Sequence, residues 1–179
     1  MQNKRGISQA FVHQPTAQSL RRATVFDVFE ISRVLIRSIR ELCHADHQGE
    51  PARLQSWTEN KTPADIQNWI TEGAEIWIIE RDGRLAAVGA LGAVTAQVGE
   101  VTLNYVSPDF RGRGISSHML QHLERRLVER GARRGRLEAT DTAWAFYLAR
   151  GWEPAAAQCG DRIECRAMAK SLVDDGEAT

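Results

Sequence analysis

The sequence predicts an α/β protein, a mixed sheet with helices on its faces. Three observations point to it. Segments with apolar residues every three or four positions alternate with short apolar runs of strand type. Three of the strand-like runs, between residues 76 and 106, are joined by short turns, as antiparallel neighbours are. The strands after them are separated by helices, so the sheet is mixed. The chain has 179 residues, 42% of them apolar, enough for one domain with its own core.

Residues 1–19 are polar and Gln-rich without periodicity and read as a flexible tail. Residues 20–171 form one continuous domain, and residues 172–179 an acidic tail. Leu20 to Ala23 predicts a short first strand. Thr24 is an N-cap for Val25, Val28, Ile31, Leu35, Ile39 and Leu42, whose spacing is that of an amphipathic helix. His44 to Gly49 is a polar break, and Glu50 to Thr58 a short helix. Thr62-Pro63 opens another helix, with proline at its first position, to about Glu72. Ile76 to Glu80 and Leu85 to Thr95 are strands joined through Asp82-Gly83, a strong hairpin signal. Gln97-Val98-Gly99 turns the chain into a third strand, Glu100 to Val106, which Pro108 ends. From Gly112, the apolar residues Ile115, Met119, Leu120, Leu123 and Leu127 predict a helix stopped by Gly131. Arg136 to Ala139 is a strand, Thr142 to Arg150 a short helix and Arg162 to Ala169 the last strand.

Lys plus Arg and Asp plus Glu are both 23. The balance argues against a dedicated nucleic-acid binder. Three cysteines, Cys43, Cys159 and Cys165, offer neither a disulfide framework nor zinc spacing. The N-terminus lacks the apolar stretch of a signal peptide, and no run of about 18 apolar residues predicts a membrane span. A cytoplasmic protein is expected. His44 and His47 with Asp46 are read as an exposed loop, not as metal ligands. His13, His118 and His122 read as tail or helix-surface residues.

The segment Val106-Ser107-Pro108-Asp109-Phe110-Arg111-Gly112-Arg113-Gly114-Ile115-Ser116 takes a strand end through a glycine loop into a helix start. Unpaired N–H groups at such a start form an anion site, and glycines let an anion approach the backbone. Between Arg111 and Arg136 there are eight arginines and two glutamates. A polyphosphate ligand accounts for the loop and the basic stretch together, where a solvated helix face accounts only for the second.

This loop resembles the acyl-CoA loop of the GCN5-related N-acetyltransferase (GNAT) superfamily, (Arg/Gln)-x-x-Gly-x-(Gly/Ala), with Arg111, Gly114 and Ser116 at the named positions. Phe146-Tyr147-Leu148-Ala149-Arg150-Gly151-Trp152 resembles the superfamily's Phe-Tyr-x-x-x-Gly-Phe signature. The resemblance extends over about four-fifths of the chain. It implies a central, mostly antiparallel sheet of six to seven strands flanked by about four helices. It also implies an N-acetyltransferase with acetyl-CoA as acyl donor and no metal. Asn104, Tyr105 and Val106 would lie along the pantetheine arm, and Arg111, Gly112, Arg113, Gly114, Ile115 and Ser116 around the pyrophosphate. Thr142 stands where the family has Asn, and Tyr147 matches the acid that protonates the leaving thiolate. Glu100 corresponds to a basic glutamate of some members; solvent is the alternative base. By strand alternation Glu100, Thr102 and Asn104 share a face. Cys43, His44 and Trp57 fall in the segment that covers the acceptor, a small-molecule or peptide amine. The sequence leaves open a homodimer and a non-catalytic acyl-CoA-binding module.

Overall fold

The computed structural model describes residues 18–156 and 166–173. Most of the predicted tails, with Cys159, Cys165, His13 and the start of the last predicted strand, lie outside the described residues. The first strand, β1 (Gln18–Arg22), begins two residues inside the stretch read as tail.

After β1 come a single 3-10 turn and α1 (Val28–Leu42), α2 (His44–His47), α3 (Pro51–Thr58) and α4 (Pro63–Thr71). β2 (Glu75–Arg81), β3 (Arg84–Thr95) and β4 (Val98–Val106) form the meander. α5 (Ile115–Glu129), β5 (Arg134–Ala139), α6 (Asp141–Leu148), β6 (Glu153–Pro154) and β7 (Arg166–Ser171) follow. The seven strands lie in the order β1-β2-β3-β4-β5-β7-β6. Every recorded pair is antiparallel except β4 with β5.

Caps set the helix starts. The Thr62 hydroxyl accepts from the Asp65 N–H at 3.2 Å, a capping box ahead of Pro63. Thr24 and Asp27 form another before α1, and Arg21 of β1 bonds both oxygens of Asp27 at 2.8 Å. That guanidinium holds the Asp27 carboxyl down at about 2.

The stretch read as a polar break is helical: α2 closes with the Gln48 N–H on His44 O at 2.8 Å, and Gln48 and Gly49 then take positive φ. The Asp82-Gly83 turn has positive φ at both residues, as predicted for a two-residue hairpin. The turn placed at Gln97-Val98-Gly99 is instead Ala96-Gln97, also with positive φ at both. The strand twist demands that geometry whatever the residues, so no Asn-Gly or Asp-Gly signature announces it.

The sheet separates two apolar layers. On one face α1 and α4 bury Ile31, Val34, Leu35 and Ile66 against Ile76, Ile78 and Val88. On the other, α5 buries Met119, Leu123 and Leu127 with Trp152 and Met168. Gly89 and Gly99 allow α5 this close: a Cβ on Gly89 would lie 2.6 Å from Met119 Sδ, and one on Gly99 2.5 Å from Leu127 Cδ2.

One irregularity in β4 governs the site. Ala90 pairs with Leu103 and Leu91 with Val101, so Thr102 is an extra residue, a β-bulge. Strict alternation across Glu100, Thr102 and Asn104 therefore fails. Asn104 pairs with Gly89 on the α5 face. Glu100 and Thr102 both lie against the Cβ position of Gly92, on the opposite face.

Candidate active site

β4 and β5 pair only over Val98–Glu100 and Arg134–Arg136. Beyond Glu100 they part, and a cleft of about 450 Å³ opens between them. Asn104, Tyr105 and Val106 of β4 and Glu138 of β5 form its walls. The loop residues Arg111, Gly112 and Gly114, with Ile115 and Ser116, line one end. Thr142, Phe146, Tyr147 and Arg150 of α6 and Cys43 after α1 complete it. A parted parallel pair leaves backbone donors and acceptors on β4 that a strand-like ligand can satisfy.

Tyr147 is buried, 6% exposed. Burial pushes its phenol up to about 12, and a hydrogen bond from the Asn104 side chain works in the opposite direction. The phenol therefore stays protonated throughout the neutral range. Asn104 Oδ1 is itself buried without a partner among the described residues. An orphaned acceptor in a cleft suits a ligand amide. Tyr105 points to the α1 layer, packed against the cluster of Val34 and Ile76. Burial, with Cys43 beside it, raises its phenol as well. Burial also pushes the Cys43 thiol up to about 12, which makes it a poor nucleophile.

Gly112 and Gly114 hold φ of 76° and 75°, and among the described residues no atom beyond the adjacent residues lies within 4 Å of the Cβ position of either. Gly114 is the N-cap of α5, whose first turn holds no acidic side chain. The first helical bond recorded there is His118 N–H to Gly114 O at 3.1 Å. The amides of Ile115, Ser116 and Ser117 thus have no acceptor in the helix, and its positive end faces the cleft. The loop is braced from behind. Asp109 is gripped by Arg37 of α1 at 3.2 Å and by Arg84 of β3, which hold its carboxyl below the usual range.

Thr142 has a different partner from the one its position implied. Its hydroxyl donates to Asp46 Oδ2 at 2.6 Å, and the same carboxylate accepts from the N–H groups of Asp141 and Thr142. The α2 segment thereby caps the helix that carries Tyr147. His47 Nδ1 accepts from the Gly49 N–H at 2.9 Å. Among the described residues no group of three or more His, Cys, Asp or Glu is placed to hold a metal.

Four predicted residues are not among those lining the cleft. Arg113 is exposed, its guanidinium 5.5 Å from the centroid of the Phe110 ring. Glu100 faces Arg136 at 3.6 Å. His44 is exposed on α2, and Trp57 is half-buried on α3. Two charged lining residues were missed, Glu138 and Arg150. Signals for both existed: Glu138 is an outward position of β5, whose burial alternates strictly, and Arg150 lies one helical turn beyond Tyr147 and Phe146.

Residues 36–152 match the model of the acetyltransferase (GNAT) family. An acetyltransferase of Pectobacterium atrosepticum is 26% identical over 128 residues, which are 69% of this chain and 83% of that protein. The PaiA N-acetyltransferase of Thermoplasma acidophilum, solved with coenzyme A, superposes with a TM-score of 0.73 at 17% identity, over 87% of this chain and 99% of that chain. A GCN5-related N-acetyltransferase of Rhodopseudomonas palustris gives the same TM-score at 22% identity, over 89% and 99% of the two chains. Among the described residues no helix is long and apolar enough to cross a membrane.

Proposed function

Since the chain belongs to the GNAT acetyltransferase family, we propose that it transfers acetyl from acetyl-CoA to a primary amine of a small molecule or peptide, directly, with Tyr147 as general acid. The carrying observation is the position of Tyr147: its buried phenol, beside the unpartnered Asn104 carbonyl, lines the cleft where β4 and β5 part.

Acetyl-CoA supplies the acetyl group as a thioester whose carbonyl carbon is open to an amine nitrogen. The free backbone groups of Asn104–Val106 suit its pantetheine amides, and the amides of Ile115, Ser116 and Ser117 with Arg111 suit its phosphates. Tyr147 delivers a proton to sulfur as the C–S bond breaks and the C–N bond forms. A carboxylate takes the proton that nitrogen loses, and exchange with solvent restores both groups. Glu138 is our choice for this base: it lines the cleft and has neither a hydrogen bond nor an ion pair among the described residues. Glu100, on the same outer face but paired with Arg136, would act only through water.

The test is thiol release from acetyl-CoA across a panel of amines, with the acylated product identified by mass. Donor binding without thiol release for any amine would leave an acyl-CoA-binding module instead.

A further inference from the structure

We propose that Arg150 is a specificity-determining ligand for a phosphate group of the acyl donor, taking the place that the loop's Arg113 does not fill. The proposal rests on the donor-site reading above.

Among the described residues the arginines that line the cleft are Arg111 and Arg150; Arg113 is exposed over the Phe110 ring. Arg150 is braced. Its Nε–H donates to Ser117 Oγ at 3.1 Å, Nη2–H donates to the same oxygen, and Nη1–H donates to Phe146 O at 2.8 Å. Its guanidinium carbon lies 3.8 Å from the Phe146 ring centroid. These bonds use three of the five guanidinium N–H groups and leave two free. A guanidinium fixed this way loses little rotamer entropy when it meets an anion.

Two further observations point to an anion. Arg150 has no carboxylate partner among the described residues, whereas Arg21, Arg37, Arg84 and Arg126 are all neutralised. Its brace is Ser117, whose own N–H belongs to the unpaired first turn of α5. The free guanidinium edge and the free helix amides are thus one side chain apart, at the same end of the cleft. An anion seated on the amides meets a positioned cation beside it.

The experiment is calorimetry with CoA, dephospho-CoA and pantetheine, without acceptor, on wild type, Arg150→Leu and Arg150→Lys. A charge-assisted bond of about 1.5–3 kcal/mol makes the expected loss of CoA affinity in Arg150→Leu ~10- to 100-fold. Pantetheine affinity should be unchanged, and Arg150→Lys should fall between. An equal loss for CoA and dephospho-CoA would place the contact at the diphosphate. A loss confined to CoA would place it at the 3′-phosphate; either supports the proposal. Unchanged CoA affinity in Arg150→Leu would overturn it, as would equal weakening for pantetheine, the mark of a merely structural role. Melting temperatures separate misfolding from either, and Arg150→Lys with wild-type CoA affinity would exclude a role for the braced fork. A wild type that fails to bind CoA would remove the donor-site reading itself.

Discussion

The carboxylate of Asp46 accepts a 2.6 Å hydrogen bond from the hydroxyl of Thr142. With the N–H groups of Asp141 and Thr142 on the same carboxylate, a residue of α2 caps α6 from 96 positions away in sequence. A negative charge at a helix start, accepting first-turn amides, stabilises by about 0.5–2 kcal/mol. Asp46→Ala should therefore lower the melting temperature by ~1–8 °C, given about 2–4 °C per kcal/mol for a chain of this size. Because α6 carries Tyr147, the variant should also lose turnover before it loses donor affinity. Thr142→Ala should cost less, since the Asp141 amide keeps its partner. A thermal melt that Asp46→Ala leaves unmoved would dismiss the cap.

Gly114→Val tests the donor loop. Valine strains a backbone held at φ of 75°, but its Cβ would meet no described atom beyond the adjacent residues within 4 Å. A lost donor site would thus reflect the backbone and the ligand's approach, not a clash within the protein. Gly131→Ala is the matched control: φ there is 86°, again with nothing within 4 Å, but at the far end of α5. Calorimetry should show donor binding abolished by the first and preserved by the second, with both variants somewhat less stable.

Tyr147→Phe should reduce turnover ~10- to 100-fold, with little change in donor affinity, as expected for a lost general acid. The pH dependence follows from the phenol's environment. A phenol raised to about 12 keeps its proton as pH climbs past the ordinary tyrosine value. The wild-type rate should therefore show no descending limb attributable to Tyr147 below about pH 11. A limb with an apparent pKa near 10, absent from the Phe variant, would contradict the burial argument.

Glu138→Gln and Glu100→Gln distinguish the two carboxylates. With Glu138 as base, its Gln variant should lose activity at neutral pH and recover part of it as pH rises and free amine accumulates. Glu100→Gln should run parallel to wild type, since its carboxylate is turned to Arg136. Reversed profiles would return the role to Glu100; parallel profiles for both would leave solvent as the base.

Local signals made much of the molecule legible. Thr62-Pro63, Asp82-Gly83 and the apolar spacing from Ile115 to Leu127 act within a few residues, and each lies where its pattern indicated. The glycine loop was readable because a strand end, two positive-φ positions and a helix start must be written consecutively in the chain. Which further side chains join the predicted ones in the cleft was not readable, because pairing partners decide it. The bulge at Thr102 exists only against Ala90 and Leu91 of β3, and it puts Glu100 and Asn104 on opposite faces. The parting of β4 from β5 after Glu100 exposes Glu138. Arg113 and Arg150 read alike as basic residues. Arg113 is exposed over the Phe110 ring, whereas Phe146 with Ser117 holds Arg150 within the cleft. The sequence by itself determined most of the elements and the donor loop, through interactions between near neighbours. Tertiary structure alone brought Glu138 and Arg150 to the cleft beside Arg111, because strand register and helix docking join positions that the chain keeps far apart.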